Sequence, residues 1–284
     1  MKGMIALDID GTITVHTCKI DPEVVSCFDD LHSQGFTFVF LTGRNFAYAQ
    51  SILKTFTFPY LLATENGAAL FSMPEKKLLE THEMPKKDVV EVAMLFEKQH
   101  LDPLLYSGEK RGDFCYFRPQ QFPPQEREYL KRLQKLTPSP WVEVQSFSQI
   151  DQDTFPLMKG IGTKEQLAPI FQTLQSMPSL HVKLIENPFR RETMCYLLIT
   201  HAMANKGSAL NIAKVHVEKM HDTSVFCIAA GDDFNDLEML KNAQFAITFE
   251  NAPQELKNIA HLIAKPASEN GIIEALQQAS LTLA

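Results

Sequence analysis

Residues 4–12 read Met4-Ile5-Ala6-Leu7-Asp8-Ile9-Asp10-Gly11-Thr12: an apolar run, then two aspartates one residue apart, then glycine. A short apolar run that stops at polar and turn-forming residues has the pattern of a strand. In an open parallel sheet, ligands bind at the carboxyl ends of central strands, so both acids are aimed at a site. Alternation along an extended segment puts Asp8 and Asp10 on one side, able to share a cation and to flank one reacting group. Gly11 lets the chain turn sharply away. A plain Asp-Gly turn accounts for Asp10 and Gly11 but not for Asp8.

Working outward, the chain to about Phe71 alternates short apolar runs with amphipathic stretches, as βαβ units of a parallel sheet do. Further strands are expected at Thr37–Leu41 and Tyr60–Ala63. Between the first two strands, Val24, Val25, Phe28 and Leu31 stand at helical spacing. Asp21 is the expected N-cap of that helix, Pro22 its first residue and Gly35 its stop.

From about Met84 to Asn187 the pattern changes. Helices are expected over Lys87–Gln99, Pro124–Leu136 and Lys164–Gln175, with strands near Leu104–Ser107 and Phe114–Phe117 and many prolines marking turns. This is an α+β insert. After it, Cys195–Thr200 reads as a strand, Gly207–Lys219 as a helix, Val225–Ala230 as a buried strand and Asn235–Lys241 as a short helix. The expected organisation is therefore a Rossmann-like α/β core over 1–83 and 189–284, with an inserted cap over 84–188.

Three further stations carry chemistry. Leu41-Thr42-Gly43-Arg44 ends the second strand with a hydroxyl, flexible amides and a guanidinium just ahead of a helix, where free amides attract anions. Gly231-Asp232-Asp233-Phe234-Asn235-Asp236 gathers three carboxylates and an amide in one turn. Like charges that close repel unless something positive holds them, and a hard divalent ion does so. Lys206, in Asn205-Lys206-Gly207, opens a helix; beside a phosphate and several carboxylates its charge becomes useful.

Composition narrows the function classes. At 284 residues, one large or two medium domains are expected, and a net charge of −7 argues against a broad basic face for nucleic acid. No apolar run is long enough for a membrane span, and the one at the amino terminus is too short for a signal peptide. The five cysteines, Cys18, Cys27, Cys115, Cys195 and Cys227, are scattered with no CxxC pair, which points to reduced thiols in a cytoplasm.

Taken in order, these stations resemble the haloacid dehalogenase superfamily, and within it the Cof-type phosphatases with a large cap after the second motif. Asp8-x-Asp10-Gly11-Thr12 is similar to motif one, Leu41-Thr42-Gly43-Arg44 to motif two, Lys206-Gly207 to motif three, and Gly231-Asp232-x-x-Asn235-Asp236 to motif four. Weaker matches are Glu65-Asn66-Gly67-Ala68, Glu250-Asn251-Ala252 and Asn270-Gly271-Ile272; the insert matches only in size and position. The sequence departs from the family pattern at Asp233, often Gly or Ser there, and at His201-Ala202-Met203-Ala204.

The resemblance implies a magnesium-dependent phosphatase of a small phosphorylated metabolite, a sugar phosphate or similar, with Asp8 as nucleophile and Asp10 as acid and base. It implies Mg2+ on Asp8, the Asp10 carbonyl and Asp232, and phosphate oxygens held by Thr42, Gly43, Arg44, Lys206 and Asn235. Asp233 and Asp236 would support these, Asp236 by orienting Lys206 or a metal-bound water. The Asp-x-Asp pattern excludes a dehalogenase, since those members lack the second aspartate. A phosphosugar mutase uses the same aspartyl phosphate and is the close alternative. A binding protein without turnover fits poorly with intact catalytic positions, and nucleic-acid end processing fits poorly with the acidic surface and large lid. Lys159, Arg190 and Arg191 are candidates for contacting the leaving group, and Tyr116 and Trp141 read as cap core. Oligomeric state is not legible.

Overall fold

Strand Gly3–Leu7 lies at the centre of an eight-stranded sheet whose order is Leu262–Ala264, Phe245–Phe249, Cys227–Ala230, Gly3–Leu7, Phe36–Leu41, Tyr60–Thr64, Ala69–Met73 and Lys77–Thr81. The strands from Leu262–Ala264 through Tyr60–Thr64 pair in parallel, and the last two add on as antiparallel strands. Consecutive segments build outward in opposite directions from the first strand, so a crevice opens at its carboxyl end.

The apolar residues of these strands face helices on both sides of the sheet, which is why the runs are continuous rather than alternating with polar residues. On one face Met4, Ala6, Val39, Leu41, Leu61 and Ala63 pack against Ala209, Leu210, Ala213 and Val217 of helix Lys206–His221 and Met239 and Leu240 of helix Leu237–Asn242. On the other, Phe28 of helix Pro22–Ser33 stacks on Phe38 at 4.9 Å and Phe56 on Phe40 at 5.3 Å. Each fully buried side chain of this size contributes about 1.5–3 kcal/mol. The helix begins as its sequence implies: Asp21 accepts from the amide of Glu23 at 2.9 Å, and Pro22 occupies the first turn. It ends at Gln34 and Gly35, the latter at φ 97°, a left-handed conformation that glycine adopts freely.

This is a computed structural model describing residues 2–15, 19–137, 139–185 and 194–282. Cys18, Arg190 and Arg191 lie outside the described residues. The chain divides into two units: Met1–Arg44 with Ala49–Thr81 and Asn205–Ala284, and Asn45–Tyr48 with His82–Ala204.

The second unit has its own six-stranded sheet, ordered Leu180–Ile185, Cys195–His201, Leu157–Gly162, Pro103–Tyr106, Cys115–Phe117 and Trp141–Glu143. Helices Lys86–Lys98 and Lys164–Leu174 cover one face through Val89, Val92, Phe96, Leu167 and Ile170. Helix Pro124–Leu136 packs Tyr129, Leu130 and Leu133 on the other.

Two expectations change here. Strand Cys195–His201, expected in the core, is hydrogen-bonded between Leu157–Gly162 and Leu180–Ile185, so the chain re-enters the first unit at Asn205 rather than at residue 189. An isolated apolar run does not reveal its sheet, because pairing partners are set by tertiary register. The antiparallel hairpin Ala69–Thr81 and the strands Phe245–Phe249 and Leu262–Ala264 extend the first sheet beyond the expected strands. Among the described residues Cys27, Cys115, Cys195 and Cys227 are buried free thiols, and no helix is long and apolar enough to cross a membrane.

Candidate active site

Sheet register brings the stations together. Leu7 is level with Ala230 on one side and Phe40 on the other, so Asp8, Gly231 and Leu41 are each the next residue out at the same edge. The amide of Asp8 still donates to the carbonyl of Ala230 at 3.0 Å. The strand stops at Leu7, however, and residues 9–14 fold back on themselves, with the amides of Ile13 and Thr14 both donating to the carbonyl of Ile9. Strand alternation therefore ends before Asp10: Asp8 is buried, while the Asp10 side chain is 48% exposed and turned to Arg44.

Lys206 is 1% exposed and donates to one oxygen of Asp8 and one of Asp236. It is the first residue of its helix, whose cap, Asn205, accepts from the amide of Ser208 at 2.8 Å. The second oxygen of Asp236 accepts from the amides of Asp232 and Asp233 at 3.0 and 3.1 Å, so the acidic turn is wrapped around this one carboxylate. A Cβ on Gly231 would lie 2.5 Å from that of Asp236, which is why the turn can close only over glycine. Thr248 fixes the same turn from the neighbouring strand, donating to the Gly231 carbonyl at 2.9 Å.

Asp232 meets the first station directly. Its carboxylate lies where a Cβ on Gly11 would fall, and the hydroxyl of Thr12 donates to it at 3.5 Å. Oxygens of Asp8, Asp232 and Asp236 lie within 4.8 Å of one another. Asp233 accepts from the amide of Phe234 at 2.7 Å and so caps the short helical turn that follows.

Electrostatics follow from this crowding. Burial pushes the Asp8 carboxyl well above the ordinary range; Lys206 pulls it back, and Asp236, Asp232 and Asp10 push it further up. Burial and then Asp236 and Asp233 raise Asp232 to about 8. Burial also works against the charge on Lys206, but Asp236 and Asp8 outweigh it and hold its pKa above the usual value.

The donor set fits a hard divalent cation, the kind of group the resemblance implies. Asp8, Asp232 and Asp236 supply only carboxylate oxygens, and burial together with the charge of their acidic neighbours pushes the carboxyls of Asp8 and Asp232 up. A dication between Asp8 and Asp232 would relieve that repulsion. Both oxygens of Asp236 already accept hydrogen bonds, which leaves Asp8 and Asp232 as the more available pair.

The second station sits on a turn not singled out as a site. Thr42 is buried and its hydroxyl accepts from the amide of Arg44 at 3.1 Å. Its carbonyl accepts from the amide of Asn66, and the Arg44 carbonyl from the amide of Glu65, each at 2.8 Å. The side-chain oxygen of Asn66 accepts from the side-chain Nδ2 of Asn235 at 3.2 Å and lies 3.2 Å from where a Cβ on Gly43 would stand. Thr42, Gly43 and Asn235 thus gather around Asn66, Asp8 and Asp232 around Lys206 and Asp236, and Arg44 around Asp10. The Glu65-Asn66-Gly67 stretch matched the family pattern only weakly; its Asn-Gly pair was the available signal, since that pair favours left-handed backbone. Thr248 carried no signal.

In the second unit the ammonium of Lys159 lies over the rings of Tyr106 and Tyr196, 5.3 and 5.0 Å from their centroids. Tyr116 packs against the buried cluster of the Lys86–Lys98 face, and Trp141 sets its ring edgewise to Phe117.

The pattern of the haloacid dehalogenase-like hydrolases matches residues 5–276. A protein of Haemophilus influenzae named a putative phosphatase is 23% identical over 95% of this chain and 95% of its own. A protein of Shigella flexneri named HMP-PP phosphatase is 26% identical over 92% of this chain and 89% of its own. The solved structure of a subclass IIB sugar phosphatase superimposes with a TM-score of 0.74 at 19% identity, over 99% of this chain and 100% of that one, a likeness of fold. With its acidic and basic groups converging at the edge of a parallel sheet, and with nearly its whole length matched, the chain belongs to the haloacid dehalogenase-like hydrolases.

Proposed function

We propose that the protein is a phosphatase that hydrolyses a small phosphorylated metabolite, a sugar phosphate or similar, through a phosphoryl group carried on Asp8. The observation that supports this most directly is the buried Asp8 carboxylate, held by Lys206 and in reach of Asp232. A phosphate monoester hydrolyses extremely slowly in water, so the site must orient the attack and neutralise charge on the transferring group. Lys206 serves both ends, fixing Asp8 and adding positive charge beside the phosphate oxygens.

In the first step an oxygen of Asp8 attacks phosphorus in line, the ester P–O bond breaks, and the leaving oxygen takes a proton from Asp10. In the second, water attacks the same phosphorus and gives its proton to Asp10. The bond to Asp8 breaks and inorganic phosphate leaves. Thr42, Gly43 and Asn235 would donate to the phosphate oxygens. Asp8 and Asp232, with the Asp10 carbonyl, would hold magnesium, which supplies positive charge between nucleophile and phosphate.

The names of the relatives, HMP-PP phosphatase and sugar phosphatase, support a small metabolite as substrate. The net charge of −7 argues against nucleic acid, and buried thiols suit the cytoplasm. The test is Asp8→Asn, assayed by phosphate release from a panel of sugar phosphates with magnesium. The variant keeps size and hydrogen bonding but loses the nucleophile, so turnover is expected to fall below detection. Retained turnover would overturn the mechanism, and phosphate moved to another hydroxyl without release would identify a mutase.

A further inference from the structure

The family resemblance puts Arg44 among the phosphate ligands, but its guanidinium is engaged elsewhere. Nε donates to one oxygen of Asp10 at 2.6 Å and Nη2 to the other, a fork that fixes the carboxylate in both position and plane. The two side chains differ in burial: Arg44 is 8% exposed and Asp10 48%. Among the described residues Arg44 alone holds the Asp10 carboxylate by hydrogen bond or ion pair. A half-exposed aspartate on a turn samples several rotamers in water; this one is held by a buried arm.

The arm is itself anchored. The backbone of Arg44 is tied at its amide to Thr42 and at its carbonyl to Glu65, and the Thr42 carbonyl to Asn66. Glu65, Asn66 and Gly67 lie in succession at φ 53°, 59° and 96°. Left-handed backbone costs about 1–2 kcal/mol at a non-glycine residue, so two such residues in a row persist only where the surroundings over-determine them.

We propose that Arg44 is a positioning residue for Asp10 and not a ligand of the phosphate, with the Glu65-Asn66-Gly67 turn as the buttress that sets its reach. This rests on the proposed reading of Asp10 as proton donor and acceptor. Each carboxylate oxygen has a second lone pair beyond the one the fork uses, so the proton moves between Asp10 and the leaving oxygen or water while Arg44 neither gains nor loses one. What Arg44 supplies is orientation, and misplacing a proton donor by about 1 Å is enough to cost on the order of 100-fold in rate.

The experiment is a double-mutant cycle on the full chain with magnesium, using glycerol phosphate as substrate and inorganic phosphate as inhibitor. Arg44→Ala is expected to lower kcat about 100-fold, within the 10²–10⁴ range for general acid–base catalysis, with KM and phosphate inhibition held to about threefold. In an Asp10→Asn background the same change is expected to cost less than about threefold, because residues acting as one unit are not additive. Arg44→Lys keeps the charge and the stem but not the fork, and is expected to fail to restore kcat. Should Arg44→Ala not fold, Arg44→Lys carries the test alone. Losses that multiply in the double variant would overturn the proposal, as would a wild-type kcat in Arg44→Lys or a tenfold weaker phosphate inhibition with kcat intact. Failure of the underlying mechanism shows separately, as turnover surviving in Asp8→Asn.

Discussion

Replacing Lys206 by Met tests the centre of the site through stability as well as activity. Methionine fills nearly the same volume, so the packing change costs less than about 1.5 kcal/mol. The larger effect is electrostatic, because Asp8 and Asp236 lose the ammonium that both of them share. Stranding a buried partner costs about 3–5 kcal/mol. Asp8 can escape by taking a proton, which at pH 7 costs about 4 kcal/mol for a carboxyl with an unfolded pKa near 3.9, and at pH 5.5 about 2 kcal/mol. Burial already raises Asp8, and losing Lys206 removes the influence that pulls it down.

A carboxyl whose folded pKa lies above its unfolded value contributes stability in acid and loses it as pH rises. At pH 8 taking a proton would cost more than leaving the charge stranded, so the penalty of Lys206→Met against wild type is expected to be the stranding cost there, about 4 kcal/mol, and about 2 kcal/mol at pH 5.5, out of a total of about 5–15 kcal/mol. Urea unfolding at both pH values in chelator-treated buffer measures it. Adding Asp236→Asn is expected to return about 1–3 kcal/mol by removing one stranded charge. A penalty below about 1 kcal/mol at pH 8, or one that grows on acidification, would refute the reasoning.

Removal of the cation is expected to abolish turnover and magnesium to restore it, with Asp232→Asn raising the magnesium concentration for half-activity about tenfold or more; activity indifferent to EDTA would contradict the assignment of Asp8 and Asp232. Gly67→Ala places a Cβ 2.6 Å from that of Ala209 and 2.9 Å from the carbonyl of Asn205, at φ 96°. It is expected to cost about 1–3 kcal/mol in urea unfolding and to lower kcat by moving the start of the Lys206 helix; an unchanged urea midpoint would mean that the turn is not a buttress.

Much of this protein was legible one segment at a time. The run ending in Asp8, the capped helix from Pro22 and the acidic turn after Ala230 each carry a local signal: an apolar run with an abrupt end, an N-cap followed by proline, charges too dense to stand alone. Local signals are properties of a few neighbouring residues, so a sequence displays them directly. Placing Lys206 with them took the family pattern, since a lysine at a helix start is ordinary by itself.

What sequence could not settle was anything that depends on which distant residue arrives. Strand Cys195–His201 has the same apolar pattern whether it joins one sheet or the other, and only its hydrogen bonds to Leu157–Gly162 and Leu180–Ile185 decide it. Asp10 was placed beside Asp8 by strand alternation, but the strand stops at Leu7 and the turn sends that carboxylate to Arg44. The strand ends and the family pattern together implied that carboxylates, a lysine and a guanidinium meet at one sheet edge. Which carboxylate each cation holds was decided by register, turn geometry and burial, because charges in a crowded, poorly hydrated site settle by distances of a few ångströms that no linear pattern records.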